Sequence, residues 1–178
     1  MIPGLLARSG AFLFAPGVQY NPGGKRPVIR KFKFESETYR TLERIPLGVR
    51  RKCDRIGIKL ALEEWQALGI GERLALCHLP AESPEEQEAF DIFTREAVHR
   101  HCGAEPARLA EEKRALAEPP AEPPAQLIAH ATAEGFSLGR AEWERLDADQ
   151  RYALVKLGGG AKPSHDLRAA LEEFLAAR

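Results

Sequence analysis

Four cations stand almost side by side in this chain, Arg50, Arg51, Lys52 and Arg55, with Asp54 among them. A cluster of that kind can hold phosphate, pair with an acidic protein surface or serve as a solvated helix face. A second set of reactive types is Ser164-His165-Asp166. These are the types of a hydrolytic triad, but they are consecutive. Neighbours on a helix point about 100° apart, so they cannot line up on one another. They read instead as a helix start, with Ser164 as cap and Asp166 in the first turn. Metal-ligating types are present in Cys53, Cys77-His78, His99, His101-Cys102, His130 and His165. None has the paired spacing of a zinc site. Gly158-Gly159-Gly160 follows a helical stretch rather than opening one, so it does not cradle phosphate. No catalytic constellation, metal site or cofactor is expected. A metal- or thiol-dependent enzyme using His99, His101 and Cys102 stands as the alternative, and a nucleic-acid-binding helical protein as a further one.

The chain supplies its own control for these readings. Residues 46–79 align without a gap on residues 124–157, matching Pro46 with Pro124, Gly57 with Gly135, Leu60 with Leu138, Trp65 with Trp143, Leu68 with Leu146, Arg73 with Arg151 and Leu79 with Leu157. What both segments share reads as architecture. Cys53 falls opposite Ala131 and Cys77 opposite Val155, so both thiols read as small buried apolar groups. His78, opposite Lys156, reads as solvent-facing. Arg73 and Arg151 occur in both and read as ties between helices, by salt bridge or by bonds to carbonyls. The basic cluster faces Ile128, Ala129, His130 and Ala133 in the second segment, so the shared architecture does not require it.

Each segment predicts the same elements: a helix begun by proline and stopped at glycine, a short extended piece, a short helix carrying Trp-x-x-Leu, and a third, largely apolar helix. The expected fold is mostly α, a single helical domain over residues 32–178 built from two tandem pseudo-repeats. The extended pieces 57–60 and 135–138 can pair as a minimal two-stranded β ribbon between them. Ser83-Pro84-Glu85-Glu86 is a capping box with proline at N1, opening a helix to Cys102 that Gly103 stops. Its expected buried face is Phe90, Phe93, Ala97 and His101. Asp147 and Gln150 form a second capping box. Ser164 caps a last helix with Leu167, Leu171 and Phe174 as its stripe. The proline-rich stretch 118–124 forbids helix and reads as a stiff connector between the halves.

Composition bounds the class. Apolar residues make up 44% and charged residues 29% of 178 residues, as in ordinary globular chains. No stretch is long and apolar enough to cross a bilayer. The formal net charge is zero but unevenly placed. Arg8, Lys25, Arg26, Arg30, Lys31 and Lys33 all precede the first acidic residue, Glu35. Residues 1–31 read as a flexible basic extension, and the acidic remainder argues against nucleic acid. The odd cysteine count and the misplaced charges of the N-terminal apolar stretch favour a reducing, cytoplasmic location.

From Phe32 to the C-terminus the chain resembles the nitrate reductase associated protein family of cyanobacteria and other bacteria. The residues that carry the likeness are Phe34-Glu35, Leu42, Ile45-Pro46, Val49-Arg50, Lys52, Asp54, Gly57, Lys59-Leu60, Leu62, Trp65 and Leu68. In the second half they are Trp143, Leu146, Arg151, Ala153-Leu154, Lys156-Leu157, Pro163, His165, Ala170-Leu171 and Phe174. Cys53 stands where the family pattern has leucine, and Gly158-Gly159-Gly160 lengthens the turn before Pro163. The resemblance implies a non-catalytic accessory protein of assimilatory nitrate reductase, an enzyme of molybdenum cofactor and iron–sulfur clusters. Its expected partner surface is Arg50, Lys52 and Asp54, with Lys59 nearby.

Overall fold

A computed structural model describes residues 32–175, and the expected basic extension 1–31 lies outside them. A 3-10 turn, Lys33–Glu35, leads into α1, Ser36–Thr41. Then follow α2, Leu47–Arg55; β1, Ile58–Lys59; α3, Leu62–Ala67; α4, Ile70–His78; and α5, Pro84–Cys102. After α5 come β2, Ala107–Arg108; α6, Glu111–Arg114; and a 3-10 turn, Ala115–Ala117. The last elements are α7, Ala125–Ala133; α8, Arg140–Arg145; α9, Ala148–Gly158; and α10, Leu167–Leu175. The fold is mostly helical with one two-stranded antiparallel sheet among the described residues.

Local chemistry sets most of these bounds. Ser83 Oγ accepts the Glu86 N–H at 3.2 Å, and Glu86 returns the bond to the Ser83 N–H at 3.1 Å. Asp147 and Gln150 exchange the same pair of bonds at the start of α9. The shorter helices use half of the device: Glu64, Glu72 and Glu142 each accept the N–H of the residue preceding the helix. Gly57, Gly103 and Gly135 take φ of +73°, +72° and +85°, where a side chain would be strained. α2 and α7 both begin just after proline and end just before Ile56-Gly57 or Glu134-Gly135. Both tryptophans are fully buried and donate from Nε1 to a carbonyl 23 residues upstream, Leu42 for Trp65 and Pro120 for Trp143.

Two apolar clusters form. One gathers Leu42, Ile45, Val49, Cys53, Trp65, Leu76, Phe90 and Val98 from the first half. The other gathers Leu127, Trp143, Tyr152, Leu154, Leu167 and Leu171 from the second, and also takes Phe32 and Leu47. α2 therefore faces both: Val49 and Cys53 point into the first cluster and Leu47 into the second.

Three expectations change. The ribbon forms, but β1 pairs with β2, Ile58 opposite Arg108 and Lys59 opposite Ala107, not with residues 135–138. Around Gly135 the chain closes on its own helix end instead, Phe136 N–H donating to Ala131 O at 2.9 Å. His101 is exposed although it continues the spacing of Phe90 and Ala97; the buried face of α5 is Phe90, Thr94, Ala97 and Val98. Residues 99–105 are all exposed, and the last turn of α5 meets α4 through polar contacts at its edge, Arg100 and His101 both pairing with Glu72. α10 starts at Leu167, with Ser164 and Asp166 in the preceding turn, where Ser164 Oγ accepts the Asp166 N–H at 3.3 Å. The connector 118–124 is free of helix and strand and is tied down through Glu118 and Pro120.

Candidate functional site

α2 carries the basic cluster, and most of it is engaged inside the fold. Lys52 donates to three carbonyls, Leu76 at 2.8 Å, Cys77 at 3.0 Å and Leu79 at 2.6 Å. These are acceptors at the end of α4 that the helix itself leaves unpaired, and a cation there also complements the helix dipole. Burial holds the Lys52 ammonium below its ordinary pKa. His130, at the matching place on α7, donates from Nδ1 to Gly158 O at 2.9 Å at the end of α9. Arg51 is buried and reaches Ala117 O at 2.9 Å, Asp149 Oδ1 at 2.6 Å and Glu118 Oε2 at 3.4 Å. Arg55 bonds Glu118, Glu82 and Ala81 O. Together they fasten α2 to α9 and to the connector.

Asp54 is buried as well. It accepts the Tyr152 hydroxyl at 2.7 Å and lies 2.6 Å from the Lys156 ammonium. Burial, then the Asp54 charge, pushes the Tyr152 phenol far above its ordinary range, so it stays a donor. Arg50 differs from its neighbours. It is exposed, and the bond described for it is from Nε to Ile45 O at 3.3 Å; no ion pair involves it among the described residues. Lys59 is exposed at the ribbon. Of the four residues expected to meet a partner, Arg50 and Asp54 line one groove, Lys52 points to the end of α4, and Lys59 lies on β1.

That groove encloses about 410 Å³. Phe34, Glu35, Arg44, Ile45 and Leu62 form part of its wall, α2 adds Arg50 and Asp54, and α9 adds Lys156. Ser164, His165 and Asp166 close it. His165 Nε2 stands 3.0 Å from Asp166 Oδ1, and no bond from Ser164 to His165 occurs among the described residues. Serine, histidine and aspartate thus share a groove without the hydrogen-bond chain that nucleophilic catalysis requires.

Glu35 is the group that sequence reasoning missed. It is 8% exposed. Its Oε1 accepts the Leu47 N–H at 3.0 Å, at the start of α2, while its Oε2 is buried with no partner. Burial raises its pKa to about 7; the Leu47 N–H opposes that rise, Asp166 adds to it, Arg50 opposes it and Glu173 adds to it. Its signal in sequence is faint, an acid between Phe34 and Ser36, and only folding brings it to α2.

The remaining candidates fall into structural places. Cys53 and Cys77 are buried and Cys102 is exposed. Burial pushes the Cys53 thiol up to about 12, which leaves it protonated and a poor nucleophile. His78 is exposed. His101 Nε2 pairs with Glu72 Oε2 at 2.7 Å, and no cluster of three metal-ligating residues occurs among the described residues. Arg73 bonds the carbonyls of Leu68, Leu42 and Gln66, and Arg151 those of Trp143 and Glu144. No helix among the described residues is long and apolar enough to cross a membrane.

Searches of curated proteins and of solved structures return no match. A family model described as conserved nitrate reductase-associated protein matches residues 31–174. That span holds both tryptophan-anchored halves, the α2 clamp and every wall of the groove, and by it the chain belongs to the conserved nitrate reductase-associated protein family.

Proposed function

We propose that this protein is a non-catalytic accessory protein that binds assimilatory nitrate reductase in the cytoplasm and supports its maturation, stability or activity. Family membership across residues 31–174 carries the reading. The build of α2 is consistent with it: Arg51, Lys52 and Arg55 hold the helix rigidly in place, and Arg50 is left facing outward from it. Binding residues set on rigid elements lose little entropy on association. In this reading Arg50 and Lys59 touch the reductase, and Lys52 and Asp54 position the helix that presents Arg50.

The test is co-purification of the tagged full chain with nitrate reductase, paired with reductase activity and molybdenum content in cells that lack the protein. Retention of the reductase, with a fall in its activity or metal content when the protein is missing, is the expected result. A reductase that neither co-purifies nor changes would overturn the reading.

A further inference from the structure

The groove contains two groups whose bonding is incomplete. Arg50 uses Nε on Ile45 O, and its two Nη groups have no acceptor among the described residues. Glu35 forms part of the same wall, more than nine-tenths buried, with Oε2 unpartnered. The other charges of the groove are already paired: Lys156 with Asp54 at 2.6 Å and Arg44 with Asp166 at 3.9 Å. A buried polar atom left without a partner needs a physical account. A solvated surface arginine alone would need none.

We propose that the groove is a carboxylate-binding site, in which the Nη1 and Nη2 of Arg50 take both oxygens of an acidic side chain presented by the partner protein, in front of Glu35. This deepens the proposed function and rests on it for the identity of the partner. The guanidinium fork matches a planar carboxylate in bidentate fashion. Asp54 and Asp166 border the groove already paired with Lys156 and Arg44, so among the described lining residues Arg50 is the cation left for an incoming acid, and its single charge matches a monoanionic carboxylate. The volume of about 410 Å³ lies within the range of small-ligand pockets and has room for an acidic side chain with its backbone.

Glu35 makes the site sensitive to pH. When protonated it leaves Arg50 to the incoming carboxylate and repels nothing. When ionised it competes for Arg50 and repels the ligand. The groups that face it are the Leu47 N–H and Arg50 from α2, Tyr39 from α1, Asp166 and His165 from the loop before α10, and Glu173 from α10. Since burial places its titration near 7, carboxylate affinity falls as pH rises from 6 to 8.

The experiment is isothermal titration of the full chain at constant ionic strength with propionate and, separately, with a short blocked peptide containing one glutamate. The wild type is expected to bind the peptide about tenfold more weakly at pH 8 than at pH 6. Arg50→Gln should lose tenfold or more at pH 6 with unchanged helicity by circular dichroism. Glu35→Gln should bind equally at both pH values, whereas His165→Asn should keep the wild-type pH dependence. Binding of both probes supports a carboxylate site open to free acids, and binding of the peptide alone supports a site for a protein segment. Binding of neither at millimolar concentration, or equal binding by Arg50→Gln, overturns the inference. In pull-downs, a reductase retained equally by wild type and Arg50→Gln sinks the site as a partner contact. Probe binding with no reductase retained by wild type sinks the proposed function and leaves the site standing.

Discussion

Glu35→Gln is the substitution with the most direct reading in stability. The buried carboxyl titrates near 7 in the folded protein, against an ordinary value of 4.5. Between those values the folded state holds a proton that the unfolded chain has released, so stability falls as pH rises through that window and levels off above it. Each pKa unit is worth about 1.4 kcal/mol, so the penalty at pH 8 or above amounts to about 3 kcal/mol. Glutamine reproduces the protonated carboxyl: one oxygen still accepts the Leu47 N–H, and nothing ionises. Its stability relative to wild type should therefore rise with pH, from an advantage of about 1 kcal/mol at pH 5 to about 3 kcal/mol at pH 8.5.

Urea denaturation of both proteins at half-unit steps from pH 5 to 9 measures this. The difference between the two curves isolates Glu35, because the histidines and other carboxylates titrate in both proteins. For a chain of this size the gap corresponds to roughly 10 °C in midpoint temperature. A difference that stays flat with pH would refute the reasoning, since it would mean that Glu35 is ionised at little cost and that its Oε2 has found a partner. A difference of opposite slope would mean that the Leu47 N–H and Arg50 outweigh burial.

Lys52→Met removes three donor contacts from the end of α4 and should cost about 2–3 kcal/mol in denaturant midpoint; a loss below 0.5 kcal/mol, on the order of a solvated surface change, would show that the lysine is not the cap. Asp54→Asn leaves Lys156 without its carboxylate and should destabilise by about 2 kcal/mol or more. In a double-mutant cycle with Tyr152→Phe the two changes should be clearly non-additive, because they share the 2.7 Å bond, and additivity would deny that bond its role. Thiol titration with an aromatic disulfide should modify Cys102 alone in the native protein and all three cysteines in denaturant, following their burial; rapid native modification of Cys53 would contradict both its burial and its raised pKa.

What could be read from sequence was what short stretches of chain decide. Ser83 with Glu86, Asp147 with Gln150, and the glycines at 57, 103 and 135 each satisfy helix-end groups through partners a few residues away. Their bounds were legible for that reason. The strand partner of Ile58, the acceptors of Lys52 and the burial of Glu35 depend on segments brought together from far apart, and periodicity carries no record of them. His101 shows the limit of periodicity itself. Spacing says which face a residue occupies, but burial also needs a neighbour long enough to cover that turn.

The two matched segments differ most where α2 joins the second half. A residue present in one segment only invites a functional reading, yet Arg51 and Arg55 lie in one segment because they form the joint: α2 meets α9 and Glu118 there. The matching residues Ala129 and Ala133 on α7 are exposed. When two similar units meet through different faces, each carries joint residues that the other lacks, and a one-sided charge can be architecture. The reverse also holds, since Lys52 and His130 differ in identity while both bond carbonyls at the end of the third helix. A functional candidate must then be one-sided and also keep its charge without an ion-pair partner among the described residues. Arg50, opposite Ile128, and Lys59, opposite Ser137, satisfy both conditions on α2 and β1, and Arg50 alone of the two borders the groove with the unpartnered carboxyl oxygen of Glu35.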